Sequence, residues 1–409
     1  MRILHTADWH IGHRLYERNR IDEHRQFLEW LLETIKEHAI DVLLVSGDVF
    51  DTALPSSEAT DLYYQFLFQL YHETNAQAVI TAGNHDSPRR LAAPREFLKM
   101  GRIHVIGGIE SGLDECIITL NSHEANENNG VSAISIAAIP YLSESEILSH
   151  VSFETEIEKA RRYREAMKQL YHNCVAQMPA DVPKLLMGHL VIQGGEESGS
   201  ERVIQIGGAL PVRAGDFPKD VNYVALGHLH RSQAIKGAGY PIRYSGSPLP
   251  MTFKEAEYDK KVCLLELGQS NDDRFTEITV PVFRALCRVR GNYDQVMVGA
   301  MSGDWEGKYI EVQLTLEAPR LGVGDEIRDA FKDRGGDVLI VEVQLAEQQR
   351  EADLSAEDIS AKSPAEIFEE FYRTKYSSEG TDESQLATLI DTFTELTHIA
   401  STQTDGEPS

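Results

Sequence analysis

Asp8 and His10 stand two residues apart after an apolar run, Ile3-Leu4-His5-Thr6-Ala7, and both are residue types that bind divalent metals. On an extended backbone, side chains two apart point to one side, so this pair can grip a single ion. His228 and His230 repeat the arrangement after Tyr223-Val224-Ala225-Leu226. Three further runs end alike. Val42-Leu43-Leu44-Val45-Ser46 leads to Gly47-Asp48, Ala78-Val79-Ile80-Thr81-Ala82 to Gly83-Asn84-His85-Asp86, and Leu185-Leu186-Met187 to Gly188-His189. Asp8, His10, Asp48, Asn84, His189, His228 and His230 make a nitrogen and oxygen ligand set without cysteine. That exceeds what one tetrahedral zinc takes. It suits two divalent ions sharing a carboxylate. Imidazole mixed with carboxylate and amide favours manganese, iron or zinc over magnesium or calcium alone. Two ions roughly 3.5–4 Å apart drive in-line phosphoryl displacement, so the chemistry expected is two-metal phosphoester hydrolysis.

The elements that must position these residues are short buried strands, since β-branched and leucine runs before glycine read that way. Ligands at strand ends can converge on one rim of a sheet. Each motif also has a plainer reading. A Gly-Asp after a strand is commonly a turn, a Gly-His is commonly a hydrogen-bonded core histidine, and Gly-Asn-His-Asp can be a capped loop. Five ligand-bearing strand ends in one chain do not arise from five unrelated turns.

The order Asp-x-His, Gly-Asp, Gly-Asn-His-Asp, Gly-His, Gly-His-x-His resembles that of the calcineurin-like metallophosphoesterases. Within them, Arg2-Ile3-Leu4-His5-Thr6-Ala7-Asp8-Trp9-His10-Ile11-Gly12 is similar to the SbcD-type nuclease subunits of bacterial SbcC–SbcD complexes. Gly47-Asp48-Val49-Phe50-Asp51-Thr52, Ala225 to Arg231 and Gly246-Ser247-Pro248 extend the likeness. The resemblance implies that Asp8, His10, Asp48 and His230 hold one metal, and that Asp48, Asn84, His189 and His228 hold the other, with Asp48 bridging. It implies that His85 is a catalytic acid rather than a ligand, and that the cofactor is two divalent ions, manganese first and magnesium as the alternative. Asp86 either orients His85 or stabilises the turn. Archaeal and eukaryotic relatives carry a second histidine shortly after the bridging aspartate; here Asp51 and Thr52 stand there, so that role is not carried over. The implied activity is 3′–5′ exonuclease action on double-stranded DNA ends and endonuclease action on single strands and hairpins, in repair, recombination and replication. The implied partners are DNA, an SbcC-type coiled-coil ATPase, and a second copy of this chain within a heterotetramer.

The net charge of −26 runs against a free-standing DNA binder. Much of the acid lies between Glu347 and Glu407, while Arg14, Arg18, Arg20, Arg89 and Arg90 follow the ligand motifs. These arginines either meet phosphates or pair with Glu17, Glu23 and Glu96. Bound metals would add positive charge that residue counts ignore. Cys116, Cys174, Cys263 and Cys287 are scattered without pairing or ligand spacing, as expected of free thiols in a reducing compartment. No basic-then-apolar leader precedes the first strand and no run is long enough for a membrane span, so the expected location is cytoplasmic, with no membrane partner.

The fold expected is α/β: a two-sheet αββα metallophosphoesterase sandwich over residues 1–280, with a small α/β capping domain over 281–345. An acidic linker at 346–362, a helical pair at 363–400 for partner docking and a disordered tail at 401–409 complete the layout. Apolar spacing predicts a helix over Asp22–His38 with one buried face. The helix predicted over Ser57–Glu73 is apolar nearly all round, so it is expected to be buried on two sides: against the sheet, and against either a second copy, as the resemblance implies, or an adjacent helix or loop. Asn121–Gly130 reads as an exposed hairpin loop and Gly194–Glu201 as a mobile loop near the substrate. After Pro281 the pattern predicts a βαβαβ module without histidine. Ser363-Pro364-Ala365-Glu366 is a helix-start signature. Two other functions share parts of this pattern. A stand-alone phosphodiesterase acting on a small ester would use every one of these ligands, but would not need the residues after Pro281. A binding module that had lost catalysis should show gaps among the ligands, and none is missing.

Overall fold

The computed structural model describes residues 1–110, 112–122, 131–148, 155–201, 212–268 and 274–346, and the isolated positions 386, 389, 390 and 392. The chain starts with β1 (Arg2–Thr6), a short hairpin β2 (Arg14–Leu15) and β3 (Arg18–Asn19), and α1 (Ile21–Glu37). There follow β4 (Val42–Ser46), α2 (Ser57–Glu73), β5 (Gln77–Thr81), α3 (Pro88–Leu91), α4 (Arg95–Met100) and β6 (Ile103–Ile106). Next come β7 (Ile117–Asn121), β8 (Ala133–Ala138), α5 (Glu144–Ile147), α6 (Glu156–Gln177), β9 (Lys184–His189) and β10 (Tyr223–Gly227). Then β11 (Gln233–Ile235), β12 (Ile242–Tyr244), β13 (Lys261–Glu266) and β14 (Arg274–Thr279) close the first unit.

These strands form two sheets of six, in the orders β14-β13-β1-β4-β5-β6 and β11-β12-β10-β9-β8-β7. In the first, β1, β4, β5 and β6 run parallel, β13 pairs antiparallel with β1, and β14 pairs antiparallel with β13. In the second, β12, β10, β9 and β8 are parallel, flanked by antiparallel β11 and β7. The pleat sends alternate side chains to opposite faces, so a strand buried on both sides is apolar over most of its length. β4 shows this. Leu43 and Val45 pack toward α1 and α2, while Val42 and Leu44 pack between the sheets against Met187, Tyr223 and Ala225. The helix α6 covers the outer face of the second sheet through Met167, Tyr171 and Cys174. The architecture is the expected αββα sandwich.

Phe27, Leu28, Leu31, Leu32 and Ile35 form the buried stripe of α1. The N-terminus of α2 is capped by Ser56, whose Oγ accepts from Ala59 N at 3.2 Å. That helix buries Leu62, Tyr63, Phe66, Leu67 and Leu70. A second apolar stripe stays open: Tyr64, Phe68 and Tyr71 are 36%, 65% and 48% exposed.

The contacts divide the chain into two compact units, Met1–Cys287 with Gly307–Tyr309, and Arg288–Glu306 with the residues from Ile310 onward. In the second unit a three-stranded sheet of β15 (Leu286–Asn292), β16 (Tyr309–Leu316) and β17 (Asp337–Leu345) packs with α7 (Tyr293–Ser302) and α8 (Val323–Lys332). Its core is Val296, Ala300, Ile310, Val312, Ile327 and Phe331. The elements come in βαβαβ order, and α7 starts with a capping box of Asn292 and Gln295. The expected acidic linker, helical pair and tail lie outside the described residues, apart from Ala346 and the isolated positions. So does most of the loop between β7 and β8.

Candidate metal centre

Parallel strands end at a common rim, and the two rims of this sandwich meet. From the first sheet, β1 runs into Asp8 and His10, β4 into Asp48, and β5 into Asn84 and His85. From the second, β9 ends on His189 and β10 leads to His228 and His230. The β1–β4 pairing continues past both strand ends, with Asp8 N donating to Gly47 O and His10 N to Asp48 O, each at 3.0 Å. Cross-sheet bonds join the rims, among them one from His228 N to Asp8 Oδ1 at 2.8 Å.

All seven residues expected as ligands lie together. His10 Nε2 faces His230 Nε2 at 3.2 Å, and Asp48 Oδ2 is 3.7 Å from the former. With Asp8 these histidines form one group of ligand atoms. On the other side, Asn84 Oδ1 is 2.9 Å from His189 Nε2 and 3.1 Å from His228 Nδ1, and Asp48 Oδ2 is 3.3 Å from the same His189 nitrogen. Asp48 therefore stands between two half-sites. The set fits a pair of cations. Asp8 Oδ2 is buried with no hydrogen-bond partner among the described residues, and two imidazole nitrogens pointed at each other need a proton or a metal between them.

The backbone is strained here. Asp8, His10, Asp48 and His228 have φ of 53°, 46°, 49° and 96°, the left-handed region that side chains normally avoid. Each such residue costs on the order of 1–3 kcal/mol and persists where the surroundings over-determine it. The glycines before the ligands leave them room. A Cβ on Gly47 would run into the His189 ring, and one on Gly83 into Asp48.

Asp86 settles as a loop tie. Its carboxylate accepts from Gly83 N at 2.9 Å, Phe50 N at 2.9 Å and Val49 N at 3.1 Å, locking the β4 and β5 loops together. His85 is oriented instead by Asp51, whose carbonyl accepts from His85 Nδ1 at 2.7 Å. The His85 ring stands edge-on to His10 with centroids 4.6 Å apart. Its backbone N–H donates to Asp48 Oδ1 at 2.8 Å.

Electrostatics bind the cluster together. Burial alone would lift the Asp48 carboxyl, but the His189, His10 and His85 imidazoles override it and hold it well below the usual carboxylate range. Burial lifts Asp8 to about 7 against the pull of His189. Burial pushes His189 down, but the Asp48 charge and hydrogen bond outweigh it and raise the ring to about 9. Burial takes His228 down to about 3. Without metal, protons occupy places where a cation would compete with them.

Several residues around the centre carry no sequence signal. Glu255 and Lys260 are buried against each other as an ion pair beside His230. Ser200 and Glu201 reach His230 from the segment Gly194–Glu201. The segment expected as a mobile loop near the substrate thus backs a candidate ligand through Ser200 and Glu201. A lone Glu, Lys or Ser has no period or motif to mark it. For Arg20 the structure takes the pairing alternative. Arg20 is buried, paired to Glu23 at 2.7 Å and bonded to Pro250 O at 2.6 Å, so it cannot reach a substrate phosphate. Arg14 is exposed and lies 3.8 Å from Glu17. Arg89 and Arg90 are positioned on α3, and Glu96 pairs with its neighbour Arg95 at 3.4 Å.

Comparison with known proteins agrees with this geometry. Residues 1–232 match the calcineurin-like phosphoesterase family, and residues 282–376 match a family described as type 5 capsule protein repressor C-terminal domain. The SbcD subunit of the nuclease SbcCD from Escherichia coli K12 is 30% identical over 97% of this chain and 98% of its own length. The Bacillus subtilis protein of the same name is 30% identical over 96% and 97%, respectively. The Rhodobacter capsulatus one is 39% identical over 69% of this chain and 70% of its own length.

Proposed function

This chain belongs to the calcineurin-like phosphoesterases and, among them, to the SbcD subunits of SbcCD nucleases, and from that premise we propose how it works on DNA. It is a metal-dependent phosphodiester hydrolase acting with an SbcC-type ATPase. The observation that carries the site assignment is the convergence of seven ligand side chains on a shared carboxylate, Asp48. Asp8, His10, Asp48 and His230 hold one ion, and Asp48, Asn84, His189 and His228 hold the other. The mixed imidazole and carboxylate set favours manganese, with magnesium as a weaker substitute. Two bound ions supply Lewis acidity and an activated water.

The residues do the rest. Asp51 O accepts from Nδ1–H of His85, which orients the ring so that, protonated, it can hand a proton to the departing oxygen. Asp48 Oδ1 holds the backbone of the same residue, so acid and metal bridge share one loop register. Arg89 and Arg90, on the helix directly after Gly-Asn-His-Asp, are the cations assigned to substrate phosphates.

The finer reading is 3′–5′ exonuclease action on duplex ends and endonuclease action on single strands and hairpins. The open stripe Tyr64, Phe68 and Tyr71 on α2 supports a homodimer within a heterotetramer, since adjacent exposed aromatics are rare on a solitary surface. Residues 363–400 are assigned to partner docking. Four unpaired cysteines support a reducing, cytoplasmic setting, and no described helix is long and apolar enough to cross a membrane.

The test is manganese-dependent release of label from a linear duplex, with Asp48→Asn as control and a small chromogenic phosphodiester alongside. DNA cleavage that vanishes in the mutant supports the nuclease. Turnover of the small ester with intact DNA, even with the partner added, moves the reading to a stand-alone phosphodiesterase.

A further inference from the structure

Among the candidate ligands, His230 is gripped at every polar atom but one. Its backbone N–H donates to Glu201 Oε1 at 3.0 Å. Its carbonyl accepts from Ser247 N at 3.1 Å and from Lys260 Nζ at 3.2 Å. Its Nδ1 lies 2.7 Å from Ser200 Oγ. Only Nε2 is left to face the cluster. Ser200 in turn hydrogen-bonds Glu255 Oε1, whose other oxygen is paired with Lys260. Glu255 and Ser247 are fully buried and Lys260 is 7% exposed, so this is a charged network sealed behind the site.

We infer that Ser200 and Glu255, held by Lys260, are positioning residues that fix the tautomer and direction of His230. With His230 neutral, its Nδ1, which also lies 3.4 Å from Glu255 Oε1, carries the proton. Glu255 is ionised and accepts only, so Ser200 Oγ–H donates to it and the hydroxyl lone pair accepts from His230 Nδ1–H. Nε2 is then bare and aimed at the ion. A neutral imidazole could otherwise carry its proton on Nε2, which would present a donor where a metal needs a lone pair. Lys260 does two jobs at once: it neutralises Glu255 and anchors the His230 carbonyl. The network draws on three separate stretches, at Ser198–Glu201, His230 and Ser247–Lys260, so the first metal half-site is assembled only when those stretches pack together.

The inference rests on the reading of His230 as a metal ligand, and the test separates the two. The metal-free full chain would be titrated with manganese, following the free ion by electron paramagnetic resonance, for the wild type and for Ser200→Ala, Ser200→Thr and Glu255→Gln. Partners of ligating histidines typically shift metal affinity about 10–100-fold. Ser200→Ala removes a hydroxyl without stranding a buried charge, so it folds even where Glu255→Gln does not. Ser200→Ala should weaken one class of manganese site by that factor and leave the other unchanged, and Ser200→Thr should restore it. Equal weakening of both classes, or no change in either, overturns the inference while the metal reading stands. A wild-type chain that takes up no manganese overturns the metal reading and this inference with it.

Discussion

The two half-sites of this centre are supported by different means. On one side, His10 and His230 lean on side chains: Asp51 Oδ1 lies 3.4 Å from His10 Nδ1, and Ser200 with Glu255 backs His230. The Asp51 approach leaves His10 Nδ1 without a proper hydrogen bond, so that contact is electrostatic rather than directional. On the other side, His189 leans on the backbone, its Nδ1 donating to Ser46 O at 2.9 Å. A main-chain carbonyl comes with the fold and cannot be removed by changing a side chain. A buried carboxylate must be brought in from elsewhere in the chain and neutralised there, here by Lys260. One half-site is thus built into the sheet, and the other depends on loops packing behind it.

The largest expected effect ignores this difference. Asp48→Asn removes the carboxylate that both halves share, so manganese titration should show both classes of site lost and DNA cleavage gone. A surviving tight site would mean Asp48 serves only one ion. Next comes His85→Gln, expected to lower the cleavage rate by about 10²–10⁴-fold while leaving both classes of manganese site intact. If it abolished metal uptake, its role as a non-ligand acid would be wrong. The sheet-built half can be broken from the backbone: Gly47→Ala drives a methyl into the His189 ring at a φ of 85°. It should weaken the class that Ser200→Ala spares, by roughly 10–100-fold as for other disturbed ligand supports. Weakening of the same class by both variants would erase the distinction drawn here.

The smallest effect concerns stability away from the metals. His5 is fully buried between the sheets, its Nδ1 3.0 Å from the Tyr223 hydroxyl, and burial takes its pKa down to about 3. An unfolded histidine titrates near about 6.5. The unfolded chain therefore binds the proton first as the pH drops. The stability this residue contributes is intact above pH ~6.5 and is lost as the pH falls from there toward about 3, at up to about 1.4 kcal/mol per pH unit. Denaturant melts of metal-free His5→Leu should show a flatter acid limb between about pH 6.5 and about pH 4. An unchanged slope would assign the acid sensitivity to other groups.

Much of this is legible in the residues. Mostly apolar runs ahead of the ligand motifs mark β1, β4, β5, β9 and β10, because a parallel strand buried on both faces reads as a near-continuous apolar run. The helix predicted over Ser57–Glu73 has those same bounds, since Ser56 caps it and its apolar spacing is dense. The second stripe of α2 reads as buried but is open in the single chain, because periodicity reports apolar character and not what covers it. Arg20 shows a related limit. Residue order leaves a phosphate and Glu23 both open to it, and only the fold decides for Glu23 and Pro250 O.

By itself the sequence determined the types, order and strand-end places of the proposed ligands, because metal chemistry and sheet burial both restrict residues locally. Tertiary structure decided which side chains stand behind them. Glu255, Lys260 and Ser200 are ordinary residues in the chain, and only packing brings them to His230. The left-handed φ of Asp8, His10, Asp48 and His228 is equally invisible in the sequence, since aspartate and histidine do not announce a strained backbone. A ligand's chemistry is a property of its side chain. Its aim is a property of everything packed around it.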